Sequence, residues 1–318
     1  MKPPLIVLAG PTASGKTGLS VKLAEKIKGS VISADSMQVY RHMDIGSAKI
    51  RPEEMKGIPH YLIDELMPEE EFNIVLFQKL AKKYLAEIYA NERIPILTGG
   101  TGFYIQSVLY NIDFSKESTS ESLRLELEAF ADANGAAALH EKLALIDPAS
   151  AKAIHPNNRK RVIRALEFYE QNGYPISEHN ETERQKDSPY QSALFVLTDD
   201  RKILYEQIDR RVDLMMKNGL LEEVLALKEM GCHRGMISMQ GLGYKELLAY
   251  LEGEISLEEA VYRIKRDTRH FAKRQLTWFK REKDVIWLDK GLFDHDDSRI
   301  LNYMISVLRE RGIYHAQL

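Results

Sequence analysis

Cysteine is almost missing from this sequence, since Cys232 is the only one in 318 residues. A single cysteine excludes a disulfide within the chain and any zinc site built from clustered cysteines. Long apolar runs are missing near the start as well, because LIVLA at 5–9 is far shorter than the roughly 20 residues of a membrane-spanning helix. No secretion signal follows the opening Met-Lys-Pro-Pro, so we expect a cytoplasmic protein with no membrane contact.

An excess of charge of one sign is missing too, because 44 Lys+Arg and 47 Asp+Glu leave a formal net charge of -3. Two segments, however, carry a local excess of positive charge. From Arg263 to Lys283, nine basic side chains stand against only Asp267 and Glu282, and a second basic stretch, RKRVIR, covers 159–164. A solvated helix face explains either run alone. Together, with aromatic residues interleaved in the longer run, they favour a surface that binds a polyanion.

Strand-like and helix-like segments alternate through most of the chain. The apolar pattern predicts helices over 16–27 and 72–89. Such alternation is typical of an α/β fold with a doubly wound parallel sheet. The predicted strands are 5–9, 30–34, 60–63, 94–98, 193–197 and 285–288.

The stretch from 113 to 190 breaks this alternation. It contains helix-like segments at 122–133, 136–145 and 157–172 and no convincing strand. We interpret it as a helical insertion domain within an α/β core formed by 1–112 and 191–318. Long amphipathic helices are predicted over 202–230 and 256–283, before the last strand.

The segment GPTASGKT, Gly10 to Thr17, matches the phosphate-loop pattern G-x-x-x-x-G-K-[ST] and lies between a buried strand and an amphipathic helix. Its backbone amides converge on an anion, Lys16 adds a point charge, and the Thr17 hydroxyl is a ligand for Mg²⁺. The pattern indicates a diphosphate without saying which one. The predicted diphosphate ligands in this loop are Gly10, Thr12, Ala13, Ser14, Gly15, Lys16 and Thr17.

Two further segments follow strands at the same edge of the predicted sheet. Asp35 ends the second strand beside the phosphate loop, where open α/β sheets bind their ligands, and is a candidate base. Asp35 could instead cap the loop or lie next to a bound magnesium ion. Thr101 lies in GGTGFY at 99–104, whose glycines also suit a tight turn. The strand before it, 94–98, lacks the Asp that typically supports hydrolysis in nucleoside triphosphatases.

With these motifs the sequence resembles the tRNA dimethylallyltransferase family, also called tRNA isopentenyltransferases. The resemblance implies transfer of a dimethylallyl group from its diphosphate to the exocyclic amine of the adenosine 3′-adjacent to the anticodon in tRNA, with Mg²⁺ as cofactor. The segments that carry it are GPTASGKT, DSMQVYRHMDIGSAK (35–49), GGTGFY, HPNNRKRVIRALE (155–167), QGLGYKE (240–246) with YLEGEIS (250–256), and AKRQLTW (272–278).

The resemblance also assigns roles to residues. Asp35 becomes the base that accepts the proton of the adenine amine, Thr101 orients the adenine or the phosphate, and Arg211 joins Lys16 in holding the diphosphate. The residues expected to bind tRNA are Asp35, Ser36, Met37, Gln38, Thr101, Arg124, Lys160, Arg161, Val162, Ile163, Arg164, Gln240, Gly241, Lys273 and Arg274.

Two other readings compete with this one. A small-metabolite or nucleotide kinase shares the phosphate loop, although such kinases are usually shorter and carry an arginine-rich lid. A non-catalytic RNA-binding protein with a degenerate loop is disfavoured by the intact Lys16 and Thr17. Eukaryotic members of the resembled family carry a C-terminal zinc finger that one cysteine cannot build, so the resemblance is to the bacterial type. We expect a monomer.

Overall fold

The computed structural model describes residues 2–114 and 121–315. It divides into two compact units, a core unit of 1–109 with 189–318 and a helical unit of 110–188. In the described residues, no helix is long and apolar enough to cross a membrane.

A single six-stranded parallel sheet forms the centre of the core unit, as far as the described residues show. Its strand order is β3-β2-β4-β1-β5-β6. The chain thus leaves β1 to build one side of the sheet and returns to build the other, which confirms the predicted α/β fold. The strands are β1 (Pro4–Ala9), β2 (Gly29–Ala34), β3 (His60–Tyr61), β4 (Ile94–Gly99), β5 (Gln191–Thr198) and β6 (Val285–Asp289).

Helices cover both faces of this sheet, and four more lie in the described part of the helical unit. In chain order, the helices of the core unit are α1 (Lys16–Ile27), α2 (Pro52–Met55), α3 (Ile74–Ala90), α4 (Gly102–Leu109), α9 (Arg201–Lys217), α10 (Leu220–Glu229), α11 (Tyr244–Leu251), α12 (Leu257–Phe279) and α13 (Asp297–Glu310). Those of the helical unit are α5 (Glu121–Ile146), α6 (Pro148–Ala153), α7 (Arg159–Asn172) and α8 (Ile176–Gln185).

The central strands are apolar on both faces because helices cover both. All of β1 from Leu5 onward and all of β2 are buried. On one face, Leu23 of α1 and Met304 of α13 pack against Phe195 of β5 in a single apolar cluster. The rigid sheet fixes its carboxyl edge, from which the loops after β1, β2 and β4 project.

One predicted helix is wrong. The segment 202–230 forms two helices, α9 and α10, because Gly219 adopts a left-handed conformation with φ 99° that ends the first and begins the second. Glycine is the residue that takes this conformation at little cost. The predicted strand 60–63 is also shorter in the structure, where only two residues pair with β2.

The helical unit has its own apolar core. Leu139 and Leu143 of α5 are fully buried beside Val162 of α7. Gly135, with φ 87° and ψ 164°, breaks α5 into two segments, which agrees with the separate helices predicted over 122–133 and 136–145. No strand lies in the described part of this unit.

Candidate active site

The phosphate loop, 10–17, connects β1 to α1 and surrounds a cavity of about 220 Å³, here called the diphosphate cavity. Gly10 has φ 144°, and a Cβ there would lie 2.8 Å from the carbonyl oxygen of Leu197, so a side chain does not fit. Gly15, with φ 93°, precedes the first turn of α1. Of the predicted diphosphate ligands in this loop, Thr12, Ala13, Ser14, Gly15, Lys16 and Thr17 line the cavity and Gly10 does not.

Lys16 is held inside this loop, where no carboxylate of the described residues lies within hydrogen-bond distance of it. Its Nζ donates to the carbonyl oxygen of Pro11 at 2.6 Å. Removal from water and the positive charge of Arg211 together lower the pKa of Lys16 to about 7, against the opposing charge of Asp35. The Ser14 hydroxyl is buried without a hydrogen-bond partner in the described residues. The loop therefore presents donors and charge that are suited to an incoming anion.

Arg211 reaches the same cavity from α9. Its guanidinium lies 3.4 Å from the Thr12 hydroxyl. Burial lowers its pKa, opposed by the charge of Asp35, but an arginine stays protonated in proteins. The structure thus brings together the two cations, Lys16 and Arg211, that the sequence and the resemblance predict for a diphosphate.

Asp35 follows β2 and lies beside these cations. Desolvation raises its pKa, while hydrogen bonds from the backbone amides of Met37 and Gln38 and the charges of Lys16 and Arg211 oppose the rise. The Met37 amide donates to Oδ1 at 2.9 Å. A carboxylate with a raised pKa is a stronger proton acceptor near neutral pH than an exposed one.

A second cavity of about 310 Å³, here called the acceptor cavity, adjoins the first. Thr101, at the start of α4, lines it together with the predicted residues Ser36, Met37, Gln240 and Gly241. The two cavities share Thr12, Asp35, Ser47, Arg211 and Phe271. Asp35 therefore lines both cavities where they adjoin. Gln38, also predicted to bind tRNA, lines the diphosphate cavity instead and accepts a hydrogen bond from Ser33 at 2.9 Å.

Gln275 on α12 is a site residue that the sequence reasoning missed. Its Oε1 accepts from the Thr12 amide at 2.9 Å, and its Nε2 donates to the carbonyl oxygen of Gly100 at 3.0 Å. A Cβ on Gly100 would lie 2.0 Å from that Nε2, so a side chain there would displace the Gln275 amide. Gln275 therefore joins the phosphate loop to the turn after β4. The sequence feature that could have revealed Gln275 is a polar residue on the apolar face of the helix that contains AKRQLTW.

Glu223 on α10 is a second missed residue. Its carboxylate accepts from the backbone amides of Asp44, Ile45 and Gly46 at 2.9, 2.7 and 3.1 Å, and from the Tyr244 hydroxyl at 2.7 Å. These bonds fix the loop that presents Ser47 to both cavities. The break at Gly219 turns α10 so that Glu223 reaches this loop. The continuous helix predicted over 202–230 hid this contact, because it gave α10 the direction of α9.

The residues of the RKRVIR stretch on α7 divide into exposed or half-buried basic side chains and buried apolar ones. Lys160 and Arg161 are exposed on α7. Val162 and Ile163, predicted to bind tRNA, are 0% and 3% exposed and pack in the core of this unit, so their side chains do not meet a ligand. Their place in the RKRVIR stretch reflects the inner face of an amphipathic helix. Arg164 on the same helix is half-buried.

Arg124 on α5 has a partner within the helical unit. Its guanidinium donates to both carboxylate oxygens of Glu167 at 2.9 and 3.0 Å. Glu167 is fully buried, while the side chain of Arg124 is 45% exposed. This bidentate pair gives Arg124 a structural task beside the RNA contact that the resemblance implies.

The basic run on α12 is partly neutralised within the core unit. Four of its cations have carboxylate partners, so the excess charge counted from the sequence overstates what is free. The pairs are Arg263–Glu259, Lys265–Asp213, Arg266–Asp267 and Arg269–Asp209. Lys273 and Arg274 are exposed and have no carboxylate within 4 Å among the described residues. The cationic surface therefore lies on the C-terminal half of this helix.

The described residues hold no group of three or more His, Cys, Asp or Glu side chains arranged for a metal ion. Thr17, the predicted magnesium ligand, lines the diphosphate cavity. Magnesium commonly uses one or two protein ligands and completes its shell with phosphate oxygens and water. The donors present fit such an ion.

Comparison with known proteins agrees with this geometry. The model of the IPP transferase family matches residues 38–282. A protein of Lachnoclostridium phytofermentans named tRNA dimethylallyltransferase is 60% identical over 310 residues, which cover 98% of this chain and 99% of that protein. A protein of the same name from Acetivibrio thermocellus is 51% identical over 298 residues, covering 94% and 95%.

Two solved structures are similar in fold. The full-length tRNA isopentenylpyrophosphate transferase of Bacillus halodurans superposes with a TM-score of 0.73 at 45% identity and covers 98% of both chains. A eukaryotic dimethylallyltransferase acting on tRNA superposes with a TM-score of 0.78 at 31% identity, over 90% of this chain and 74% of that one.

Proposed function

The chain belongs to the IPP transferase family, and from this premise we propose that it transfers the dimethylallyl group of dimethylallyl diphosphate to tRNA. The acceptor is the exocyclic amine of the adenosine 3′-adjacent to the anticodon. The observation that carries the proposal is the junction of the two cavities at Asp35, beside Thr101 on one side and Lys16 on the other.

The diphosphate end of the donor occupies the diphosphate cavity. Lys16, Arg211 and the loop amides neutralise charge that develops on the departing diphosphate, which favours breakage of the bond between carbon and oxygen. Mg²⁺ fits beside Thr17 and supplies further neutralisation of the diphosphate when it is bound. The unpartnered Ser14 hydroxyl is a further donor to the phosphate oxygens.

The adenine occupies the acceptor cavity with its amine facing Asp35. This amine is a weak nucleophile, because its lone pair is delocalised into the ring, so removal of its proton during attack is valuable. Asp35 accepts that proton, and its raised pKa suits the task. Thr101 donates a hydrogen bond that orients the base or a phosphate oxygen.

The target adenosine enters this cavity only after it leaves the stack of its loop. Single-stranded RNA loops are the usual targets of such recognition. Exposed cations on each unit support this step by binding phosphates, with Lys160 and Arg161 on α7 and Lys273 and Arg274 on α12. We keep the expectation of a monomeric, cytoplasmic enzyme as a prediction.

The direct experiment is to incubate the protein and Mg²⁺ with an anticodon stem-loop RNA and either dimethylallyl diphosphate or ATP, then weigh the RNA. The proposal expects the mass of one added dimethylallyl group with the first donor and no change with ATP. A matched RNA with guanosine at the target position should not gain mass. Phosphate addition from ATP would support the kinase reading instead.

A further inference from the structure

A third concave surface, here called the Trp287 groove, lies on the core unit between α9, α12 and the ends of β5 and β6. Its volume is about 520 Å³, larger than either cavity of the active site. The side chains that define its chemistry are Asp199, Arg201, Tyr205, Lys273, Lys280 and Trp287. It shares no residue with the acceptor or diphosphate cavity.

Three cations give this groove its charge. Lys273 lies on α12, Lys280 caps the C-terminal end of that helix, and Arg201 lies at the start of α9. All three are exposed, and none has a carboxylate within 4 Å among the described residues. The one carboxylate in the lining, Asp199, accepts from the Asp200 amide at 2.8 Å and lies 3.6 Å from His295. The lining therefore carries a formal charge of about +2.

Two aromatic rings share the groove with these cations. Trp287 on the edge strand β6 is 37% exposed, although tryptophan is usually well covered in a folded core. The guanidinium of Arg201 lies 5.1 Å from the centroid of the Tyr205 ring. Cations that bind phosphates beside rings on which bases stack are the combination found in single-stranded nucleic-acid sites.

We propose that the Trp287 groove holds an unpaired nucleotide of the substrate RNA, other than the adenosine that is modified. The inference rests on the proposed function. Helix α12 connects the two places, because Phe271 and Arg274 line the acceptor cavity while Lys273 and Lys280 line the groove. A helix with its side chains is about 10 Å across, so one RNA strand spans both. An acidic peptide would leave the exposed indole without a stacking partner.

Tryptophan fluorescence tests this placement, since the chain contains only Trp278 and Trp287. A base that stacks on Trp287 should quench its emission as stem-loop RNA is added. The quench should persist in Trp278→Phe and disappear in Trp287→Phe. A quench that depends on Trp278 alone would overturn the proposal.

Substitutions then measure what the groove contributes. Trp287→Ala should weaken RNA binding about tenfold, within the range known for base stacking on aromatic rings. Lys280→Ala should lower the slope of log affinity against log salt by about one phosphate contact. Lys283→Ala is the matched control, because that exposed lysine does not line the groove. Equal effects of the two lysine variants would overturn the proposal.

Further measurements distinguish RNA from other ligands of the groove. They also distinguish failure of the groove proposal from failure of the proposed function. Adenosine monophosphate at the same concentration should not quench, since a free nucleotide lacks the rest of the RNA; equal quenching by it would assign the groove to mononucleotides. Quenching by polyglutamate would assign it to an acidic peptide. If the wild-type protein prenylates RNA but shows no Trp287 quench, the groove proposal fails and the proposed function stands. If no prenylation occurs, the proposed function itself fails.

Discussion

Lys16 should take up a proton when the diphosphate binds. In the empty protein its pKa is about 7, lowered by removal from water and by the nearby charge of Arg211. A bound diphosphate places negative charge beside the ammonium group and raises this pKa. About one Lys16 in ten is protonated at pH 8 in the empty site and about nine in ten at pH 6, whereas nearly all are protonated in the complex.

Two quantities follow from this difference. Binding at pH 8 should take up about 0.9 proton, and affinity should fall about tenfold from pH 6 to pH 8. Affinity falls as the pH rises because the diphosphate complex favours the charged form of Lys16, which is lost from the unliganded protein above pH 7. The terminal phosphate loses its own last proton near pH 6, which works in the opposite direction below pH 7. The range from pH 7 to pH 9 is therefore the cleanest one.

Isothermal titration calorimetry measures the uptake. Dimethylallyl diphosphate is titrated without Mg²⁺ at pH 8 in two buffers of different ionisation enthalpy, and the difference in observed heat gives the number of protons exchanged. Lys16→Met is the control, since it removes the titrating group and keeps much of the stem. No uptake in the parent protein, or the same uptake in Lys16→Met, would refute the assignment of the depressed pKa to this lysine.

Three other predictions address the site. Asp35→Asn should slow the single-turnover rate by about two to four decades with both substrates still binding; weaker diphosphate binding that extra Mg²⁺ rescues would instead indicate a role near the metal. Gly100→Ala, whose Cβ would lie 2.0 Å from Nε2 of Gln275, should weaken diphosphate binding measured by calorimetry. Gly57→Ala strains a backbone with φ 72° but meets no neighbour within 4 Å and lies outside the cavity lining, so it should lower stability without changing diphosphate binding. The four exposed cations are Lys160, Arg161, Lys273 and Arg274. Their joint replacement by alanine should flatten the dependence of RNA affinity on salt and leave diphosphate binding unchanged. An unchanged slope would mean that these side chains are only solvated.

Local patterns were sufficient for the elements that build the phosphate site. The helix predicted over 16–27 has those bounds in the structure, because the glycine before Lys16 and the apolar spacing both mark its limits. The strands at 94–98 and 285–288 each extend by one residue. These features depend on neighbours in the chain, which a sequence displays directly.

Features that depend on distant contacts could not be predicted this way. Gln275 lies 263 residues from Thr12, and Glu223 lies 179 residues from Asp44, so no local pattern connects them. The ion pairs of α12 with Asp209 and Asp213 of α9 likewise appear only when the two helices pack. Charge counting treats those cations as free because it cannot see the partner helix.

The bridge made by Gln275 also has a thermodynamic consequence. One side chain holds the phosphate loop, and the two residues before it, Lys273 and Arg274, are exposed cations that we propose bind RNA. Any shift of this helix that RNA causes is therefore a shift at the Thr12 amide. Coupling of this kind is reciprocal, so a factor by which bound RNA changes the affinity for diphosphate must equal the factor by which diphosphate changes the affinity for RNA. If α12 contacts both ligands as proposed, binding of one substrate changes the affinity for the other before any bond is broken.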